Sequence, residues 1–113
     1  MMENKYRRGE IYRLKRNIHG YDAPVLVIQN DIGNEYGRNT VVAFLTTEVP
    51  ASNGYPFVVV CSPRDSGMGK IYAVDLAYIM TIPGSMLGEK CGQLSTAKMM
   101  EVDDALKNSL GLV

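Results

Sequence analysis

The side chains able to do chemistry are few and unevenly spread. Six bases (Lys5, Arg7, Arg8, Arg13, Lys15 and Arg16) fall between positions 5 and 16, against the single acid Glu10. Such a run can gather phosphate groups even on a neutral protein, because screening confines electrostatics to roughly 10 Å. A solvated basic arm accounts for it equally well. His19, the only histidine, follows on the same polar stretch. An imidazole there could shuttle a proton near neutral pH, or simply face water. Tyr12, Tyr21 and Tyr36 offer rings that could stack on unpaired bases, with core packing or a dimer contact as the alternative. Thr46 and Thr47 place two hydroxyls at the end of a β-branched run, a composition that ordinary strands share. Cys61 and Cys91 have no CxxC spacing, and one histidine cannot complete a familiar zinc set. Both are expected as buried thiols in a reducing cytoplasm, with no metal or other cofactor.

The elements that must position these groups are mostly strands. Glu10 to Lys15 predicts a first strand, followed by a polar turn over Arg16 to Asp22. Pro24 to Gln29 is a continuous β-branched run, as expected for a strand buried on both faces. Asn30 to Asn39 reads as a loop, with Asn30 and Asp31 as turn formers through side-chain-to-backbone bonds. Thr40 to Leu45 predicts another buried strand, closing at the two threonines. Pro50 to Gly54 turns the chain, and Tyr55 to Cys61 resumes extended structure, with Phe57 toward the core and Tyr55 the freer ring. Ser62 to Gly69 is a second turn cluster, and Ile71 to Ile82 holds one long strand or two short ones around Asp75. The period then changes. Ser95 can cap a helix through its hydroxyl, Met99, Val102, Leu106 and Leu110 recur at helical steps, and Gly111 suits its end. Met99 and Met100 are expected as core filler.

This inventory predicts a mainly β fold. It is a small, strongly curved antiparallel β-barrel of five or six strands, closed by a C-terminal α-helix. An open α+β sandwich is the alternative. Length supports one domain over 1–113. With 46% apolar and 21% charged residues, disorder from a weak core is excluded. No apolar run approaches the roughly 20 residues of a membrane-spanning helix, and the polar, basic start predicts no secretory signal. Twelve bases cancel twelve acids, so whole-chain charge names no partner.

Five segments then point the same way. Arg8-Gly9-Glu10-Ile11-Tyr12, Pro24 through Asn34 (PVLVIQNDIGN), Val41 through Thr47 (VVAFLTT), Gly54-Tyr55-Pro56-Phe57, and the tail from Asp104 to Leu112 together resemble the MazF/PemK toxins of bacterial toxin–antitoxin pairs. The resemblance spans nearly the whole chain in order. It implies a homodimeric, metal-independent endoribonuclease acting on single-stranded RNA at short motifs, with a cognate antitoxin of MazE type occupying the RNA groove. The implied chemistry is attack of a ribose 2′-oxygen on the neighbouring phosphate, giving a 2′,3′-cyclic phosphate and a 5′-hydroxyl. Such a reaction needs help with proton removal, protonation of the leaving oxygen, and positive charge facing the phosphorane.

The resemblance also exposes a departure. The family's catalytic pair is an Arg just before the PVLVI-type strand and a Thr ending the next. The Thr matches Thr46, expected to donate a hydroxyl hydrogen bond to the scissile phosphate, but Ala23 stands at the Arg position. A methyl group can neither stabilise phosphorane charge nor move a proton. Three readings stay open: an engineered inactivating replacement, a natural variant in which Arg16 or His19 substitutes, and a member that binds RNA or antitoxin without cutting. Arg16, Tyr21, Thr47 and Tyr55 are the expected RNA contacts. A gyrase inhibitor like CcdB, sharing the fold, is a further alternative that the ribonuclease-like tail disfavours.

Overall fold

The computed structural model describes residues 6–18, 20, 22–49 and 54–112. In chain order the elements are β1 (Glu10–Leu14), β2 (Val25–Val27), α1 (Asp31–Tyr36), β3 (Asn39–Thr46), β4 (Val58–Cys61), α2 (Pro63–Ser66), β5 (Tyr72–Pro83), a 3₁₀ turn (Gly84–Met86), β6 (Leu87–Gln93) and α3 (Thr96–Leu110). The strands form one antiparallel sheet in the order β4-β5-β3-β2-β1-β6. Its edge strands β4 and β6 are not paired with each other. The expected barrel is therefore an open, bent sheet, with register shifts between β1 and β6 and between β3 and β5 supplying local bends.

Why the central strands are so uniformly apolar follows from the two cores. Ile11, Leu26, Ala43, Leu45, Val74 and Leu76 point to one face, where Val102 and Ala105 of α3 cover them. Tyr12, Val25, Val27, Val42 and Phe44 alternate onto the other face, beneath Tyr6, Ile82 and Leu87. Over Val25–Val27 and Val42 to Leu45 each position is thus buried one way or the other, and period-2 polarity disappears there. Burying each such large side chain contributes roughly 1.5–3 kcal/mol.

The ends of α3 follow the sequence closely. Ser95 Oγ accepts from the Lys98 N–H at 3.2 Å, and Gly111 closes the helix in the left-handed region at φ 68°. Met99 packs against the core, whereas Met100 is exposed, contrary to the expectation that both fill it. Cys61 is buried, but Cys91 is only half-buried; both are free thiols.

Three elements depart from the sequence reading. The stretch read as a loop over Asn30 to Asn39 contains α1, started by Asn30 Oδ1 accepting the Gly33 N–H at 2.8 Å. It ends at Gly37, where a Cβ would lie 2.8 Å from the Gly33 carbonyl oxygen. The turn cluster over Ser62 to Gly69 contains α2, held by a reciprocal capping box between Ser62 and Asp65. Strand β6 was not expected, because LGEKCGQ carries no apolar alternation; it is a polar edge strand. β5 reconciles the two readings around Asp75. It is one strand whose pairing to β3 jumps between Ile79 and Asp75, with Asp75 Oδ1 accepting the Ala77 N–H at 2.9 Å. Among the described residues no helix is long and apolar enough to cross a membrane.

Candidate RNA-cleaving cleft

Strand register assembles the site. β2 and β3 pair Val25 with Phe44, Leu26 with Ala43 and Val27 with Val42. Extending that register sets Ala23 opposite Thr46, and the Leu45 N–H donates to the Pro24 carbonyl at 3.0 Å, which holds the two strand ends together. Pro24 favours extended backbone at Ala23, so the side chain at 23 is carried straight into the β3 end. Ala23 and Thr46 are both half-buried, and Thr47 is exposed.

Two clefts include this pair in their walls. One, of about 310 Å³, is lined by Arg13, Asp22, Ala23, Thr46, Thr47 and Lys70. The other, of about 320 Å³, joins Ala23 and Thr46 to Phe44, Glu48, Asp75 and Tyr78, with the Phe44 and Tyr78 rings stacked at 4.9 Å. Thr46 Oγ1 accepts the Glu48 N–H at 3.1 Å. A hydroxyl that accepts from one group retains its own hydrogen to donate to another. Thr46 is therefore oriented by its own backbone turn and chemically available to the cleft.

The expected site residues divide sharply. Ala23, Thr46 and Thr47 come together. Arg16 is exposed on the loop after β1 and does not line this cleft. Tyr55 is exposed, as expected for the freer ring, but it stacks on Phe57 at 5.3 Å on the connection before β4 and is not part of the cleft lining either. His19 and Tyr21 lie outside the described residues, as does most of the Pro50 to Gly54 turn. Of the other rings, Tyr36 is exposed. Tyr12 is buried and donates to Glu10 Oε1 at 2.8 Å. Burial, reinforced by the adjacent Glu10 carboxylate, raises its hydroxyl pKa well above the usual tyrosine range.

The basic run also splits. Arg8 donates from Nε to the Ile28 carbonyl and from Nη2 to Asp103 Oδ1, both at 2.7 Å, tying the N-terminus to α3. Arg7 pairs with Asp31 at 3.7 Å. These two cations are structural. What sequence reasoning missed is Lys70 and the cleft position of Arg13. The β1–β2 register would have exposed the second: Ile11 pairs with Leu26 and Tyr12 with Val25, which carries Arg13 to the level of Pro24. Among the described residues no group of three or more His, Cys, Asp or Glu is placed to hold a metal ion.

The architecture is thus a small antiparallel sheet packed against one helix, with a cation-lined cleft at paired strand ends. The family model for the PemK-like, MazF-like toxin of type II toxin–antitoxin systems matches residues 7–110. The chain is 35% identical over 111 residues to the endoribonuclease MazF of Staphylococcus epidermidis, covering 94% of this chain and 92% of that protein. It is similar in structure to an endoribonuclease from Mycobacterial species, with 27% identity, a TM-score of 0.80 and coverage of 98% and 95% of the two chains. An endoribonuclease in complex with its cognate antitoxin, also from Mycobacterial species, gives 27% identity, a TM-score of 0.83 and coverage of 96% and 97%. The chain belongs to the PemK-like, MazF-like toxin family.

Proposed function

We propose that this chain is a single-domain endoribonuclease toxin spanning 1–113. It would act in the cytoplasm as a homodimer, cut single-stranded RNA at short motifs without a metal, and be neutralised by a cognate antitoxin of MazE type. Family membership and the activity named for the S. epidermidis relative support the reading. The observation that carries it is the Thr46 hydroxyl, oriented by the Glu48 N–H and open to a cleft with two cations on its walls. In the reaction the 2′-oxygen forms a bond to phosphorus and the bond to the 5′-oxygen breaks. The 2′-hydroxyl loses its proton and the 5′-oxygen leaves as a hydroxyl. The nucleophile belongs to the substrate, so the protein's part is to orient the phosphate, stabilise its added charge and ease the two proton transfers. Thr46 would donate to a non-bridging oxygen.

Ala23 favours one second reading, a member that binds RNA or antitoxin without cutting. Restoring arginine separates them. The Ala23→Arg chain, incubated with a long single-stranded RNA in EDTA, is expected to cut and to leave 5′-hydroxyl ends that a polynucleotide kinase can label directly. Ends carrying 5′-phosphate would overturn attack by the 2′-oxygen. Binding of RNA with no cutting by the Arg form would establish the silent reading instead.

A further inference from the structure

We propose that Arg13 and Lys70 hold the scissile phosphate in this chain, supplying from β1 and the loop before β5 the positive charge that Ala23 cannot. The proposal rests on the endoribonuclease reading and names the groups that make it work here.

Position is the first observation. Arg13 and Lys70 line the cleft that holds Ala23, Thr46 and Thr47. They also line the adjoining cleft, of about 340 Å³, that reaches Met68 and Cys91. One phosphodiester in the Thr46 cleft would thus have the threonine hydroxyls on one wall and both cations on others.

Availability is the second. Arg7, Arg8, Lys90 and Lys98 are each paired with a carboxylate, namely Asp31, Asp103, Glu10 and Glu101. Arg13 and Lys70 are exposed and make no ion pair with another described residue. A cation already facing a carboxylate offers a ligand little field; an unpaired one facing a cleft offers nearly all of it. Among the described residues Asp22 is the one carboxylate lining the same cleft, so their side chains leave it net positive.

The chemistry suits that sign. The phosphodiester carries one negative charge, which grows on its non-bridging oxygens as the 2′-oxygen attacks. A guanidinium can span two such oxygens with its planar fork, and an ammonium adds a point charge. Neither group moves a proton in this scheme: the 2′-hydroxyl gives its proton to solvent water, and the departing 5′-oxygen takes one from it. This assignment replaces Arg16, which does not line the cleft, as the compensating arginine.

The test is single-turnover cleavage of a long single-stranded RNA in EDTA by the unaltered chain and by Arg13→Ala, Arg13→Lys, Lys70→Ala and the double variant Arg13→Ala/Ala23→Arg. Thermal melting is measured alongside. The unaltered chain is expected to cut, Arg13→Ala to be slower by about 10²-fold and Lys70→Ala by about tenfold. Arg13→Lys should fall between, and Ala23→Arg should recover most of the Arg13→Ala loss. Melting should barely change, because both side chains are exposed. Undiminished cutting by both alanine variants overturns the proposal and leaves the nuclease reading standing. Cutting only after Ala23→Arg overturns it as well, since the pair then fails to replace a charge at position 23. No cutting by any version overturns the nuclease reading, and this proposal with it.

Discussion

The connection from Gln29 to Thr40 and the cleft at Thr46 lie at opposite ends of β3, and they treat polar groups in opposite ways. In the connection polar groups satisfy one another. Asn34 is buried; its Nδ2 donates to the Gln29 carbonyl at 2.9 Å and to Asp31 Oδ1 at 3.2 Å. Its Oδ1 accepts from Thr40 Oγ1 at 2.7 Å and from Gln29 Nε2 at 3.1 Å. Asp31 in turn accepts the Arg8 N–H at 2.7 Å. At the cleft Thr46 keeps a hydrogen to donate, and Arg13 and Lys70 lack carboxylate partners among the described residues. A buried polar group must be paired to be tolerated. A polar group left available at a half-buried strand end is instead placed to meet a ligand. On the proposed reading, the first region serves the fold and the second the reaction.

Thr46→Val breaks the comparison most sharply if it is wrong. Valine keeps the β-branched shape and removes only the hydroxyl. The cleavage rate should fall by about 10²–10³-fold, the cost of one transition-state hydrogen bond, while the melting temperature moves by a few degrees at most. A chain that still cuts at its original rate would show that Thr46 belongs with the structural groups.

The reverse pattern is expected from Asn34→Ala. It leaves the Gln29 carbonyl and the Thr40 hydroxyl without their partner in a buried place. The loss is on the order of 2–3 kcal/mol, or a melting temperature lower by roughly 10 °C. Activity per folded molecule should be retained. Urea unfolding followed by a cleavage assay below the transition separates the two quantities. Unchanged stability would mean that the Asn34 network is not what holds the connection.

The same contrast explains what could be read from the residues alone. PVLVIQNDIGN is one of the segments on which the family resemblance rests, yet the structure uses its polar half as an internal clasp: Asn30 caps α1, Asp31 takes the Arg8 amide, and Asn34 ties Gln29 to Thr40. A loop reading was natural, because Gly and Asn punctuate the segment and a helix of six residues has no room for an apolar face. The central strands and the capped α3 were legible because burial and capping leave local marks. β6 was not legible, because an edge strand may be polar on both faces as long as its neighbour supplies the ladder. The meeting of Ala23 and Thr46 was legible through their flanking strands. Lys70 was invisible, since it lies 24 positions from Thr46 and reaches the cleft only through the pairing of β5 with β3.

The smallest effect expected tests a group between the two categories. Glu10 bridges β1 and β6 at the sheet edge: its Oε2 accepts from Lys90 Nζ at 3.0 Å, and its Oε1 accepts from Tyr12 Oη at 2.8 Å and from the Arg7 N–H at 2.7 Å. Partial burial pushes its carboxyl pKa up. The hydrogen bonds from Arg7, Lys90 and Tyr12 and the Lys90 charge outweigh that and hold it below the usual glutamate value. A carboxyl whose folded pKa is depressed stabilises the fold above its unfolded pKa, and that contribution disappears as pH falls through the lower, folded value. Stability should therefore decline on acidification below about pH 4.5, where an unfolded glutamate begins to take up protons. Glu10→Gln should flatten that decline while lowering stability near neutral pH by about 1 kcal/mol or less, since Lys90 is substantially exposed. Melting curves from pH 3 to pH 7 for both chains decide it. Parallel curves would mean that Glu10 is an ordinary solvated edge charge, and that the clasping of polar groups stops at the Gln29–Thr40 connection instead of extending to the open edge of the sheet.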